Sequence, residues 1–302
     1  MNSSNFVELL HPNLAKVSYA KYDKEDVYKK IINLRDPSND PAKAYEQNIR
    51  VVGLGIMPVW NEDQARSADE LAIGPSKSFW HLDYGVQVVF GRRLIRNEMY
   101  GLMKQVAGEI GYSAGLLRNT KTTTLYDNAF ATTYYTGGDG LALITASHTL
   151  YGDGAATASN TPTTQSALSY TAVQDLMIIA ATQKTDRGYA KVEYPNKLIV
   201  HPNNMHTAEV IVKTEFKPSS DANDISTVAG KITDFVVNPY SSQSAYWFLQ
   251  CSEHEVHMNV QEDFSTKTFM DDETDSTIYA GQQVISLGFN DYRGNYGSQG
   301  NA

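Results

Sequence analysis

The chain has 302 residues, 41% of them hydrophobic and 20% charged, and a net charge of −9 at pH 7. This composition describes a globular protein long enough to bury a core. Its net negative charge argues against a sequence-specific nucleic-acid-binding protein, because such proteins carry a basic surface. Weak contact with nucleic acid that does not depend on base sequence stays possible. No apolar run reaches the roughly eighteen residues that span a bilayer, and residues 1–10 lack a secretory signal pattern. The single cysteine, Cys251, excludes an internal disulfide framework.

The first 48 residues predict an extended arm that contains one short helix. Val27, Ile31 and Leu34 keep helical spacing within residues 23–34, and Pro37 follows the end of that segment. The rest of the arm is polar and mixed in charge.

Residues 49–90 predict two strands joined by a long loop. The first strand, residues 49–60, places four apolar residues on one face: Val52, Leu54, Ile56 and Trp60. The second, residues 80–90, alternates apolar and polar residues. The eighteen residues between them, 61–78, are too many for a tight turn, and a loop of that length is functional or disordered. Because an isolated hairpin is marginal in water, we expect this one to complete its burial on another copy of the chain, which indicates an assembly protein.

The longest helical pattern covers residues 92–118, where apolar residues recur at helical spacing. Four glycines weaken it, since each costs about 1 kcal/mol relative to alanine: Gly101, Gly108, Gly111 and Gly115. Glycines on a long helix are tolerable where neighbouring elements pack closely against it, so we expect close packing here.

The second half of the chain mixes strands with two shorter helices. One helix is predicted to begin at Ser169, a good N-cap residue, with a buried stripe formed by Val173, Leu176, Met177 and Ala180. Beyond it, the patterns predict a strand over residues 197–201, a helix over 205–213, strands over 232–237 and 245–251, long exposed strands within 253–275, and a last strand over 277–289.

Few residues of the sequence indicate a catalytic or metal-binding site. His254 and His257 lie beside acidic residues, but zinc needs three or four converging ligands, and positions three apart on a strand face opposite sides. A metal-dependent hydrolase is therefore kept only as an alternative. Cys251 follows an aromatic and aliphatic run, which is typical of a buried small hydrophobe rather than a nucleophile. We predict no catalytic residue, no metal ligand and no cofactor.

Arg92, Arg93 and Arg96 oppose the dipole at the start of the long helix. A solvated flank is one interpretation, and ion pairs with loop acids of a neighbouring subunit are the other. Such exposed pairs contribute only about 0–1 kcal/mol each, so they would set register more than stability. The candidate inter-subunit contacts are these arginines and the aromatic and acidic residues of the hairpin: Trp60, Glu62, Asp63, Asp69, Glu70, Trp80, Tyr84, Arg92, Arg93 and Arg96.

Four strings of the sequence follow one another: residues 142–160 with His148 and Asn160, Leu198-Ile199-Val200-His201-Pro202 before a helix, Tyr246-Trp247-Phe248-Leu249, and residues 289–297. They come after the predicted arm, hairpin and long helix. In this order of elements and strings the chain resembles, over residues 1–300, the major capsid proteins of tailed bacteriophages, and in particular the Mu-like major head subunits.

This resemblance implies an α+β fold of the Hong Kong 97 capsid type, with five segments. These are an N-terminal arm (1–48), an extended E-loop hairpin (49–91), a peripheral domain with a long spine helix (92–165), an axial domain (166–250), and peripheral return strands with a C-terminal tail (251–302). The classic member of that family carries a long coiled-coil scaffolding segment, and the helix predicted within residues 23–34 is far too short for one. We therefore expect any scaffold to be a separate protein or absent.

The resemblance also implies a function, that of a major capsid protein and not an enzyme. It would self-assemble as pentamers and hexamers into the icosahedral head that encloses phage double-stranded DNA, touching that DNA without sequence specificity. Separate scaffold, portal and decoration proteins are further candidate partners, and no membrane is involved. We expect the protein in the virion, assembled in the host cytoplasm. An encapsulin-like shell that encloses protein cargo is the first alternative, and a hydrolase using His254 and His257 is the second.

Overall fold

The computed structural model describes residues 3–24, 26–36, 43–97, 100–152, 156–217, 224–271, 273–274 and 276–300. The helices are α1 (Ser3–Tyr22), α2 (Val27–Ile31), α3 (Arg92–Arg96), α4 (Tyr100–Asp127), α5 (Tyr170–Ala181) and α6 (Met205–Lys213). The strands are β1 (Asn33–Arg35), β2 (Tyr45–Val52), β3 (Ala72–Trp80), β4 (Leu82–Phe90), β5 (His148–Thr149), β6 (Thr157–Ala158), β7 (Lys197–Val200), β8 (Asp234–Val237), β9 (Trp247–Gln250), β10 (His257–Asp271), β11 (Ser276–Gly288) and β12 (Asn295–Ser298).

The chain forms two compact units. The first contains Met1–Glu46, Phe79–Thr123 and His257–Leu287, and the second contains Gln47–Ser78, Thr124–Val256 and Gly288–Ala302. The predicted mixture of helix and sheet is therefore confirmed. The five-segment division taken from the resemblance stays a prediction.

The first unit packs helices against a four-stranded sheet in the order β1-β10-β11-β4. The long pair β10 and β11 corresponds to the strands predicted within 253–275 and over 277–289, but the first four residues of β10 are buried and not exposed as predicted. Strand β4 runs antiparallel to β11, from Thr277 opposite Phe90 to Ile285 opposite Leu82. Buried apolar side chains of the helices and the sheet meet in one core: Leu14, Tyr22, Phe90, Met103, Ala107, Ile110, Ala114, Phe264 and Tyr279.

Helix α1 is absent from the prediction, which gave the arm only one helix within residues 23–34. Its inward stripe is Leu14, Ser18 and Tyr22, spaced four residues apart. The middle residue is polar, so the apolar periodicity is too weak to be recognised. Ser18 is nonetheless fully buried, because its hydroxyl donates to the carbonyl of Ala107 at 2.7 Å and bonds the Tyr279 hydroxyl at 2.8 Å. The arm is therefore largely helical, and residues 14–22 of α1 pack against the core of the first unit.

The long helical pattern predicted over 92–118 corresponds to α3 and α4, and α4 runs nine residues past the predicted end, to Asp127. Met99, counted in the predicted pattern, lies outside the described residues. The added segment is rich in polar residues, which hid it from a search for apolar spacing. Several of these residues are buried, and Asn119 accepts a hydrogen bond from the backbone amide of Tyr28 at 2.9 Å.

Gly108 and Gly111 of α4 confirm the expected close packing, whereas Gly101 has no neighbour within 4 Å of an added Cβ. A Cβ added at Gly111 would lie 1.9 Å from the backbone oxygen of Ser18, and one at Gly108 would touch Val17 and Lys21 at 3.4 Å. Without side chains at these positions, α1 and α4 approach each other closely.

Gly111→Ala is expected to destabilise the protein by about 3 kcal/mol or more, because a backbone atom of α1 must move to admit the methyl group. Gly101→Ala is the matched control on the same helix, since nothing lies within 4 Å of its added Cβ. That control gains up to about 1 kcal/mol of helix propensity. Denaturant unfolding of both variants measures the difference, and equal shifts would contradict the packing described.

The second unit is built on a sheet in the order β12-β9-β7-β8, with β7 parallel to β8 and antiparallel to β9. Helix α5 begins as predicted, with the Ser169 hydroxyl accepting from the Ala172 amide at 3.2 Å. Its side chains Val173, Leu176 and Ala180 are fully buried, which confirms most of the predicted stripe. Helix α6 matches its predicted range. The tail carries β12, an addition to the prediction.

The predicted hairpin has a different pairing in the structure. Strand β2 pairs with β3, and β4 belongs to the sheet of the first unit. The loop between paired strands is therefore residues 53–71, not 61–78. Gly74 and Pro75 weaken the strand signal of β3, yet a proline is tolerated in an edge strand. Residues 45–80, with β2, this loop and β3, are called the ribbon below.

Candidate inter-subunit contact surface

The ribbon exposes an unusual amount of apolar surface. In β2 the outward side chains include Ile49 and Val51, and in β3 Ile73 is 81% exposed. Between the strands, Met57 and Val59 are 91% and 92% exposed. Large apolar side chains exposed in such number on one segment indicate an interaction site.

The tip of the loop is organised around Trp60. Its indole nitrogen donates to the backbone oxygen of Gln64 at 2.6 Å, and the guanidinium of Arg66 lies over the ring at 5.3 Å from its centroid. More than half of the side chain still faces solvent. Glu62 and Asp63 are exposed beside it, and Asp63 has a φ of 72°, as a tight turn requires.

Asp69 and Glu70 lie at the neck, where the two sides of the loop meet. Asp69 accepts from the Gly55 amide at 2.7 Å and from the Arg187 guanidinium at 3.1 Å. The Gly55 hydrogen bond, followed by Arg187, holds the pKa of the Asp69 carboxyl below its usual range. Asp69 thus has a partner within its own chain, which sequence reasoning missed.

Trp80 and Tyr84 lie on different strands. Trp80 ends β3, is largely exposed and has its ring 4.8 Å from that of Tyr45. Tyr84 belongs to β4, where the ammonium of Lys121 lies 5.4 Å from its ring centroid. Tyr84 was expected on the hairpin with Trp60 and Trp80, and that grouping is wrong because β4 pairs with β11.

The three arginines belong to the short helix α3, whose first turn has no acidic residue, and not to the start of the long helix α4, where they were expected. Arg92 and Arg93 are exposed, and the side chain of Arg96 lies outside the described residues. Ion pairs between these cations and loop acids of another subunit stay a prediction.

A buried ion cluster fixes the base of the ribbon and was not foreseen. Arg50 of β2 contacts Asp186 at 2.5 Å and Asp291 at 3.2 Å. Arg293 contacts the same two carboxylates at 3.3 and 3.0 Å, and the four side chains are between 5% and 14% exposed. Burial raises the pKa of Asp291 to about 7, against the opposing effect of the Arg50 cation. The sequence signal for this ion cluster was an arginine on the inward face of a strand in which inward and outward residues alternate.

Nothing in the described part of the chain is arranged for catalysis by a metal or a thiolate. No three His, Cys, Asp or Glu side chains there converge on a possible ion. His257 is buried, with its ring edge-on to that of Phe79 at 4.9 Å. Cys251 lies in the core of the second unit, as predicted, and burial raises the pKa of its thiol to about 12. The described helices include none with the length and apolarity of a membrane span.

The fold is shared with shells of several origins. The chain superposes on the virus-like particle from Pyrococcus furiosus with a TM-score of 0.56 and 10% identity, covering 95% of this chain and 98% of that one. The capsid of Myoviridae phage XM1 gives a TM-score of 0.55 at 11% identity, with 89% of this chain and 90% of that one covered. The capsid of cyanophage P-SCSP1u gives a TM-score of 0.57 at 10% identity, with 88% of this chain and 85% of that one covered. These matches confirm the predicted Hong Kong 97-type capsid fold; the Mu-like affiliation stays a prediction.

Sequence comparison identifies the family. No curated protein matches the chain. The model of the family described as phage capsid protein matches residues 82–297, well over half of the chain. Neither the hydrolase nor the encapsulin-like alternative is favoured by this match. The chain therefore belongs to the phage capsid protein family and is a structural shell protein, not an enzyme.

Proposed function

We propose that the protein is the major head subunit that assembles as pentamers and hexamers into an icosahedral shell around double-stranded DNA. Membership of the capsid family supports a shell of many copies in the virion. The observation that carries the proposal is the exposed apolar tip of the loop, since a soluble subunit keeps such a surface only where a partner covers it.

A second copy of the chain is the partner that a shell supplies to every subunit. Full burial of side chains such as Met57, Val59 and Trp60 contributes about 1.5–3 kcal/mol each. One such contact is weak, but each subunit of a closed shell both gives and receives it, so the contacts reinforce one another. Aromatic anchors are enriched among the residues that dominate an interface, which favours Trp60 and Trp80.

The charge of the chain suits containment of DNA rather than recognition. A net charge of −9 leaves no general attraction for phosphate, so contact with the genome would come from scattered Lys and Arg side chains. Base sequence would play no part. Assembly would take place in the host cytoplasm, and separate scaffold, portal and decoration proteins are candidate partners at this stage.

Electron microscopy of the purified protein, alone and co-expressed with neighbouring genes, tests the proposal. We expect closed shells or rings of five and six subunits, and nuclease-protected DNA in particles formed during infection. Particles filled with protein cargo would instead favour an encapsulin-like compartment. Monomers under every condition would contradict assembly itself.

A further inference from the structure

Arg187 lies at the outer side of a tight turn in the second unit. The Thr185 amide donates to the Tyr189 carbonyl at 2.7 Å, and the Gly188 amide donates to the Thr185 carbonyl at 3.0 Å. Gly188 takes a φ of 80°, which glycine adopts without strain. The hydrogen bonds of this turn therefore fix the backbone that carries the Arg187 side chain.

The guanidinium of Arg187 bridges both sides of the loop neck. Its Nε donates to the carbonyl of Gly53 at 2.8 Å, where the loop leaves β2. Its Nη2 donates to the carbonyl of Glu70 at 2.9 Å and to Asp69 at 3.1 Å, just before β3 begins. A planar fork of donors can serve three acceptors at once, which the ammonium of a lysine does less well.

The neck is closed further by its own residues. Asp69 accepts from the Gly55 amide at 2.7 Å, so its carboxylate links the two sides of the loop while it also meets Arg187. The preceding residue of the turn, Asp186, belongs to the buried ion cluster that holds Arg50. Two adjacent residues of one turn thus hold the base of the ribbon and the neck of its loop.

We infer that Arg187 is a positioning residue that clamps the neck of the loop to its own subunit, so that the apolar tip is presented to a second copy of the chain before assembly begins. This inference rests on the proposed function. A loop of nineteen residues without regular structure loses much conformational freedom when it binds. A loop already held at its neck loses less, and its association is faster and tighter.

Hydrogen exchange on the unassembled full-length subunit tests the clamp. Arg187→Ala is expected to speed exchange of the Gly55 amide and its loop neighbours about fivefold, while the amides of β7 keep their protection. In Arg187→Lys, these amides should exchange at a rate between that of Arg187→Ala and that of the unmodified protein. The matched control is Lys184→Ala, which removes an exposed cation three residues earlier in the chain. Equal exchange of the loop in Arg187→Ala and Lys184→Ala would overturn the clamp.

The assembly rate, followed by light scattering at matched subunit concentrations, tests the presentation of the tip. We expect Arg187→Ala to assemble about fivefold more slowly than the parent and Lys184→Ala to match the parent. Faster exchange with an unchanged assembly rate would overturn the positioning role. A parent that forms no shells would defeat the proposed function and this role together, while exchange would still decide whether Arg187 holds the neck.

Discussion

Replacing residues 56–68 with a short Gly-Ser linker is expected to abolish shell formation while the subunit stays folded. The side chains removed include Met57 and Val59, which are almost fully exposed, so the subunit loses little internal packing. The linker can close because Gly55 and Asp69 already meet at the neck. The shell, in contrast, loses the apolar area that each loop would bury on a neighbour, several kcal/mol per contact at about 25 cal/mol per Å². Sedimentation velocity and electron microscopy measure assembly, and denaturant unfolding measures the stability of the subunit.

Single substitutions refine this experiment. Trp60→Ala is expected to reduce the yield of shells at least tenfold, a loss of about 1.4 kcal/mol or more per contact. Gln64→Ala is the matched control, because Trp60 bonds only the backbone oxygen of that residue. A linker variant that forms shells in normal yield would show that the tip is not an assembly contact.

Arg50→Ala is expected to cost about 3–5 kcal/mol of folding stability, because it removes one cation from a buried ion cluster. Asp186 and Asp291 would then keep their ion pairs with Arg293 but lose those with Arg50. Arg50→Met is the control, since it retains the apolar stem without the charge and separates lost packing from lost pairing. If Arg50→Ala and the parent unfold at the same denaturant concentration, the cluster contributes nothing to stability.

The cost of Arg50→Ala should also grow with pH. Burial raises the pKa of Asp291 from its ordinary value near 3.8 to about 7, and the Arg50 cation limits that rise. Because the pKa of Asp291 is higher in the folded protein than in the unfolded chain, this carboxyl group contributes stability that is fully present below about pH 4. That contribution is lost as the pH rises through about 7. Without Arg50 the pKa rises further, so the variant should be less impaired at pH 5.5 than at pH 8. Unfolding free energies at the two pH values measure this, and an equal cost at both would contradict it.

Local signals were sufficient for much of the fold. Ser169 caps α5 because its hydroxyl meets a backbone amide three residues on, a pattern written in the sequence itself. The apolar run at Leu198–Val200 and the alternation from Leu82 to Phe90 likewise predicted strands where strands occur. Each of these elements depends on residues close to one another in the chain.

Pairing between distant strands could not be predicted in the same way. The alternation of β4 fits a partner in the ribbon as well as it fits β11, 190 residues or so further along the chain. Helix α1 was missed because burial of Ser18 depends on partners that lie far away in sequence. Such contacts follow from tertiary structure, which periodicity does not contain.

In the candidate contact surface, too, local features could be predicted from the sequence and contacts between distant residues could not. Exposure of Glu62 and Asp63 followed from their place in a long polar loop, whereas Trp60, which lies in the same loop, was predicted at the end of the first strand. The partners of Asp69 and Arg50 did not, because Arg187, Asp186 and Asp291 are more than a hundred residues away. Charge patterning shows that cations and anions are present, and only the fold decides which of them meet.

The burial of Cys251 has a practical use. Its thiol remains protonated at neutral pH and is enclosed by core side chains, so it reacts slowly with maleimides. A cysteine introduced at Gln64, an exposed residue of the same loop, would then take up an environment-sensitive fluorophore selectively. The emission of that dye would report, in real time, how quickly each loop leaves water as a shell closes.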